Sequence, residues 1–297
     1  MLNCARALRD LEFERFPGGE VVTQFADRAL AVRIEMLAAE ETRAFAEASA
    51  TLYPDSGATW LEIGDGVAGY NGPESAVNTT VGLGLRTTVT EAHISAVERF
   101  FLEREARPVA CVCPLADASL AHVLARREWV LSGFENVFVR ELLAGDELSG
   151  PADDAIEIRL ARTAEERLSW AALVVEGFAA PRQAAPAELM LGRTAAAIPG
   201  KMLLTAFIGD VPAGTGELRI ADNVGWLSAD TTLPRFRSRG VQRALQRARL
   251  AMALDGGCDL AVTESAPGSP SQRNIERMGF RLVYTRVDMA GQLKHEG

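Results

Sequence analysis

The chain has 297 residues, of which 48% are hydrophobic and 24% charged, with a formal net charge of -9. This composition excludes a disordered polymer and allows one large core or two of ordinary size, and the acidic balance argues against general nucleic-acid binding, which needs a basic surface. No apolar run reaches membrane-spanning length, and the opening stretch MLNCARALRDLEFERF is charged where a signal peptide is apolar, so a cytoplasmic protein with no membrane partner is expected.

In the first half, Gly82 and Gly84 form a lone G-x-G. It lacks the third glycine of a dinucleotide fingerprint and reads as a tight turn. The segment EAHISAVERFFLEREARPVACVCPLADASLAHVLARREWVLSGFENVFVREL reads as helix, strand, helix, strand. Cys111 and Cys113 alternate onto one face of its first strand, while Cys4 and Cys258 are too scattered to build a disulfide framework. With His93, His122 and His295 equally dispersed, no metal site is expected. LLAGDELSGPADDA, residues 142 to 155, is acidic and punctuated by Gly145, Gly150 and Pro151, and it divides the chain into domains at 1–143 and 155–297.

In the second half, AIEIRLA alternates as a strand, and Thr163 followed by Glu166 has the spacing of a capping box ahead of a helix. PAELMLGRTAAA predicts a second helix. KMLLTAFIGD, PAGTGELRIADN and VGWLSADTTLP then predict an antiparallel meander with Gly-Asp and Asp-Asn turns. A helix from Val241 follows, with Val241, Ala244, Leu245, Ala248 and Met252 on its apolar face; Gln242, Arg243, Gln246 and Arg247 lie off that face. CDLAVTES, SPSQRNIERM and FRLVYTRVDM close the chain as strand, helix and strand, giving the order β-α-α-β-β-β-α-β-α-β. The end of the first half echoes this ending, with RREWVLSGFENVFVREL aligned to ERMGFRLVYTRVDM and Trp129 in place of Phe280. Such an echo predicts a degenerate internal duplication.

The meander runs into LPRFRSRGVQRAL, where Gly240 sits between a strand and a helix and is flanked by Arg235, Arg237 and Arg239. A helix start has unpaired amides and a positive dipole end, so this stretch reads as an anion cradle. Neither a P-loop nor a Rossmann turn is present in the text.

RSRGVQRAL resembles the [QR]-x-x-G-x-[GA] signature of the GCN5-related N-acetyltransferases (GNATs), and SQRNIERMGFRLVYTR resembles their closing helix and strand. The resemblance covers about residues 155 to 290 and implies an α/β (layered α+β) fold of two GNAT-like domains, each a mixed, mainly antiparallel twisted sheet flanked by helices. It further implies acetyl-CoA as cofactor, with the pyrophosphate on the amides of Arg237, Ser238, Arg239, Gly240, Val241, Gln242 and Arg243. The pantetheine arm is expected along Thr231, Thr232 and Leu233, with Ser271 and Asn274 facing the cofactor. Two departures stand out: Gln242 replaces the signature's last small residue, and Ile275 stands where many members carry a tyrosine acid.

Acetyl transfer to an amine needs a base, for which Glu217, Asp230 and Glu264 are candidates, and an acid, for which Tyr284 or water would serve. The expected acceptor is a small-molecule amine or a protein amine, and a homodimer is compatible with the helical faces. The first domain, with no basic residues flanking a helix-start glycine in VGLGLRTTVTEAH, is expected to have lost the cofactor loop. A non-catalytic CoA-binding regulator or scaffold is the competing reading.

Overall fold

The computed structural model describes residues 27–146 and 155–293. Cys4, His295 and most of the predicted linker lie outside that range. The first half contains α1 (Arg28–Leu52), β1 (Thr59–Ile63), β2 (Gly66–Tyr70), β3 (Thr79–Val81), α2 (Glu91–Leu102), β4 (Val109–Val112), α3 (Ala118–Arg126) and β5 (Val130–Glu141). The second contains β6 (Ile156–Leu160), α4 (Ala164–Ala179), α5 (Pro186–Ala197), β7 (Met202–Ile208), β8 (Val211–Ala221), β9 (Val224–Thr232), α6 (Val241–Asp255), β10 (Leu260–Ser265), α7 (Pro270–Arg277) and β11 (Arg281–Ala290). This second order is the one predicted from the sequence.

Local chemistry accounts for several boundaries. Thr163 and Glu166 exchange side-chain and backbone hydrogen bonds at the start of α4, closing the expected capping box. Asp222 and Asn223, both at positive φ, turn β8 into β9. Gly240 caps α6 at φ 82°, a conformation in which a side chain would be strained.

All strands join one eleven-stranded sheet in the order β1-β2-β3-β4-β11-β5-β10-β9-β8-β7-β6. The halves exchange their last strands: β5 lies between β10 and β11, while β11 lies between β5 and β4. Phe138 of β5 is consequently packed with Leu218, Leu250, Ile275 and Phe280 of the second half. Helices α1, α4 and α5 cover one face of the sheet, and α2, α3, α6 and α7 the other. Trp129 and Phe280, the aligned pair of the repeat, are both buried immediately before β5 and β11. Among the described residues, no helix is long and apolar enough to cross a membrane.

Candidate active site

The site begins with a defect in the sheet. Strands β9 and β10 pair in parallel from Val224 and Leu260 to Leu227 and Thr263, and then diverge. Strand β10 remains paired to β5 through Ser265, whereas Ser228 to Thr232 keep only β8 as a neighbour. The edge of β9 facing β10 is therefore open, a template for an extended ligand. At the same place Ala229 and Asp230 oppose the single residue Gly216, and Ala229 has φ 55°. This is a β-bulge, and it turns the strand where it leaves its neighbour.

Arg249 braces the bulge from beneath. It is fully buried and donates to Ser228 O at 3.0 Å and Glu217 O at 3.1 Å, and it pairs with Asp230. Burial raises the proton affinity of Asp230 while Arg249 opposes the shift.

On the α6 face a cleft of about 900 Å³ runs from the open edge to the start of α6. The first intrahelical bond of α6 is made by Ala244 N–H to Gly240 O, so the amides of Val241, Gln242 and Arg243 have no partner within the helix. Arg237, Arg243, Arg247 and Arg277 line the cleft, and among the described residues none of them pairs with a carboxylate. Thr232 Oγ1 and Gln246 Oε1, also at the cleft, are buried without a hydrogen-bond partner. A concentration of uncompensated cations and free amides on an acidic protein is the chemistry of a phosphate site.

On the opposite face a cavity of about 650 Å³ lies between α1, α4, α5 and the sheet. Ser228 and Ala229 line it, Asp230 to Thr232 line the cleft, and Phe178 lines both, so the two spaces meet at the bulge. Glu217 is buried on β8, with its Oε1 2.8 Å from Lys201 Nζ and 3.0 Å from Ser228 Oγ. Burial raises its proton affinity, with Lys201 opposing. Glu41, reaching over from α1 of the first half, pairs with both Lys201 and Arg219. Glu264 stands at the open end of β10 and pairs with Arg286. Burial pushes its pKa up to about 8; Arg286 pulls the other way, and the nearby Glu135 and Glu35 carboxylates add to the rise.

The fold is shared with solved structures. A GCN5-related N-acetyltransferase from Kribbella flavida superposes with a TM-score of 0.58 at 20% identity, over 84% of this chain and 95% of that one. The tandem GNAT protein from the clavulanic acid biosynthesis pathway gives 0.57 at 14% identity, over 78% and 79%. A third, the GCN5-related N-acetyltransferase from Sphaerobacter thermophilus, gives 0.53 at 15%, over 73% and 72%. The fold is the GNAT fold. No family model and no curated protein sequence matches the chain.

Within the GNAT fold, Thr231, Thr232, Arg237, Ser238, Gly240, Val241, Gln242, Arg243 and Asn274 all line the one cleft. Arg239 faces a neighbouring pit with Ser238 and Arg243. Leu233 and Ser271 do not line the cleft; the Leu233 side chain is fully buried against Phe236 and Val241. Tyr284 also has a different place from the one expected. Its hydroxyl donates to Glu35 Oε1 at 2.7 Å beneath α1, it lines neither space, and burial holds its proton well above the ordinary phenol range. Ile275 is buried in the core with Phe138 and Leu250.

The sequence reading missed Arg249 and Gln246, both buried although the α6 pattern puts them off its main apolar face. It also missed the arrangement at the corresponding place in the first half. There the loop between β3 and α2 is filled by the chain's own carboxylate. Asp65 Oδ1 accepts from Gly84 N–H at 3.0 Å, and Oδ2 accepts from Thr87 N–H at 3.2 Å and from Arg86 N–H. These bonds hold the Asp65 pKa below its usual range despite the opposing effect of burial. Gly82 and Gly84 form the tight turn that presents the loop. Asp65 in IGDG and Asp210 in IGDV occupy corresponding hairpin turns, β1–β2 and β7–β8, but Asp210 is exposed, so the motif alone does not tell the two halves apart.

Proposed function

We propose that the chain is an acetyl-CoA-dependent N-acetyltransferase acting on an amine. The observation that carries this is the meeting, at one bulged and half-open strand, of a cationic cleft on one face of the sheet and an acidic cavity on the other. The cleft suits a pyrophosphate on the amides of Val241 to Arg243, with Arg237, Arg243 and Arg247 as counter-charges. The orphaned Thr232 Oγ1 and Gln246 Oε1 fit an extended, amide-bearing arm along Ser228 to Thr232. When bound, acetyl-CoA would supply an activated acetyl thioester; transfer forms an N–C bond to the amine and frees the thiol.

For its part the protein binds and deprotonates the amine. Glu264 flanks the opening and holds its proton with a pKa of about 8, close enough to neutral pH to exchange a proton with an ammonium group efficiently. Glu217, on the other side of Ser228, is committed to Lys201 and serves better to fix the pocket charge than to accept a proton. Apolar walls from Phe45, Trp170 and Val174 line the space the amine would enter. The duplicated organisation, with the second domain active and the first lacking a cofactor loop, is supported by the Asp65 carboxylate in the first half's loop.

The competing reading, a protein that holds CoA without turnover, draws support from Ile275 and Tyr284, neither of which offers a free phenol to the cleft. Calorimetry with acetyl-CoA on the native chain and on Gly240→Glu tests binding. One site per chain, lost in the variant, is expected; no binding by the native chain overturns both readings. Thiol release with an amine panel then separates them, because the regulator releases none.

A further inference from the structure

Where β10 stops, the sheet is missing a strand. Strand β5 pairs with β10 only from Glu141 to Asn136, whereas on its other side it pairs with β11 as far as Val130. The edge from Val130 to Glu135 that faces β9 is therefore open, and it lies across the split from the open edge of β9. Two edges face one gap, and the cofactor arm proposed above uses the one on β9. No lysine or proline protects the other. Phe134 and Leu131 on it are 50% and 54% exposed, and Phe134 lines the cavity. Ser132 is an extra residue between the Gly133–Asp288 and Leu131–Met289 pairs, so regular pairing on this edge is confined to Gly133, Phe134 and Glu135.

The neighbour that has ended fixes the direction of a chain added there. Strand β10 runs antiparallel to β5, so an extended chain that takes up its line leads away from Ser265 and has its amino terminus at the Glu264 end of the gap. Opposed residues of paired strands share a face. A first residue opposite Glu135 stands on the cavity face with Glu264, and a second, opposite Phe134, packs on that exposed ring. A third, opposite Gly133, meets Asp288, whose Oδ2 lies over Gly133 at 2.9 Å from where a Cβ would stand. Charge favours the same polarity. Glu135 and Glu264 share Nη1 of Arg286, Glu35 is 2.7 Å from its Nε, and Asp288 makes no ion pair among the described residues. One guanidinium among four carboxylates attracts an ammonium and repels a carboxylate. The end of the gap therefore suits an α-amine whose own carboxyl is tied up in an amide, and disfavours a free amino acid.

We propose that the acceptor is the N-terminal amine of a peptide, bound as a short strand added antiparallel to Gly133, Phe134 and Glu135, with an apolar second residue on Phe134 and a basic third residue at Asp288. The first half thereby supplies the acceptor's edge to a reaction centred on the second. This rests on the transferase reading, and the probes separate the two: the tripeptide amides Ala-Phe-Arg, Ala-Ser-Arg and Ala-Phe-Glu, alaninamide, and free alanine. Thiol release with acetyl-CoA reports turnover by the full chain. Calorimetry, with CoA and without it, reports binding.

Ala-Phe-Arg amide is expected to show a kcat/KM about tenfold or more above alaninamide and Ala-Phe-Glu amide and about threefold or more above Ala-Ser-Arg amide, with free alanine the poorest. Phe134→Ala is expected to bring the preference for Phe over Ser toward one, and Asp288→Asn the preference for Arg over Glu, each variant verified as folded by its melting curve. Backbone pairing has its own readout. Of the second and third peptide residues, one directs its N–H at β5 and the other away, so methylating the first nitrogen weakens binding and methylating the second does not. Alaninamide turned over as well as Ala-Phe-Arg amide overturns the peptide site and leaves the transferase standing. Peptide binding with these preferences, but no CoA binding and no thiol release, keeps the site and overturns the transferase. Preferences that survive both substitutions overturn the assignment to Phe134 and Asp288. A dimer in sedimentation that Phe134→Ala dissociates, with no discrimination among the peptides, gives the edge to a second copy of the chain and overturns the proposal.

Discussion

Asn274 Nδ2 donates to Gln242 Oε1 at 2.6 Å, tying α7 to the first turn of α6 within the cleft that both residues line. The bond directs the Gln242 side chain toward α7 rather than over the helix-start amides. A large residue at the signature's last position is therefore compatible with an anion site. Replacing Gln242 by Gly, the residue type usual at that position, is expected to leave the acetyl-CoA Kd within about threefold, while costing up to about 1 kcal/mol of stability through helix propensity. Calorimetry and urea denaturation measure the two effects. A tenfold change in Kd would mean that the side chain reaches the phosphates.

On the transferase reading with Glu264 as base, its raised pKa implies a pH signature. Arg286, Glu135 and Glu35 face this carboxyl, and burial outweighs the cation among them, so the group is mostly protonated at pH 7 and ionises through about pH 8. As a base it works only when ionised, so kcat/KM is expected to rise about tenfold per pH unit below that value and to level off above it. Glu264→Gln should abolish this limb. The stability effect has the opposite sign. A carboxyl with a raised folded pKa favours the folded state fully below its ordinary pKa of 4.5, and this contribution is lost as pH rises through about 8. The urea midpoint should therefore fall between pH 6 and 9, less so in Glu264→Gln.

The second half was legible because each element carries its own local chemistry: the cap at Thr163, the Asp222–Asn223 turn, and the glycine at 240 where φ is positive. The cleft was legible for the same reason, since an anion site at a helix start is built from contiguous residues. What escaped depends on partners distant in sequence. Alternation along β5 shows which face is buried but not which strands flank it, so the exchange of β5 and β11 is invisible in the text. Arg249 reads as a solvated helical arginine, because its partner Asp230 lies on a strand 19 residues earlier. Tyr284 reads as free because Glu35, which accepts its hydroxyl, lies 249 residues away. The cavity on the Glu217 face is illegible altogether, being assembled from α1 of one half, α4 and α5 of the other, and the exchanged sheet.

Lys201, one of two lysines in the chain, is a stability determinant in its own right. Its side chain is 1% exposed and lies between Glu217 and Glu41, with Nζ 4.6 Å from the Phe45 ring centroid. Removing the charge leaves Glu217 buried without a counter-ion. Lys201→Met is expected to cost about 3–5 kcal/mol, and Lys201→Met combined with Glu217→Gln should recover much of that loss. Urea denaturation of the two single variants and the double variant supplies the cycle. Strict additivity would mean that Lys201 and Glu217 are not energetically coupled.

The strand exchange bears on how the chain unfolds. Strand β5 is hydrogen-bonded to β10 and β11 on its two sides; Phe138 is fully buried among side chains of the second half, and Val137 and Val139 are fully buried between α1 and Val224, Trp226 and Val262 of the second half. Pulling the halves apart would strip β5 from both neighbours and β11 from β4, exposing edges and core together. Neither half keeps its sheet intact without the other. The native chain is accordingly expected to melt in one calorimetric transition whose van't Hoff and calorimetric enthalpies agree. Val137→Ala, at the shared seam, should lower that single Tm without splitting the peak. Two resolved transitions, with only one of them shifted by the substitution, would mean that each half holds its fold independently of the exchanged strand.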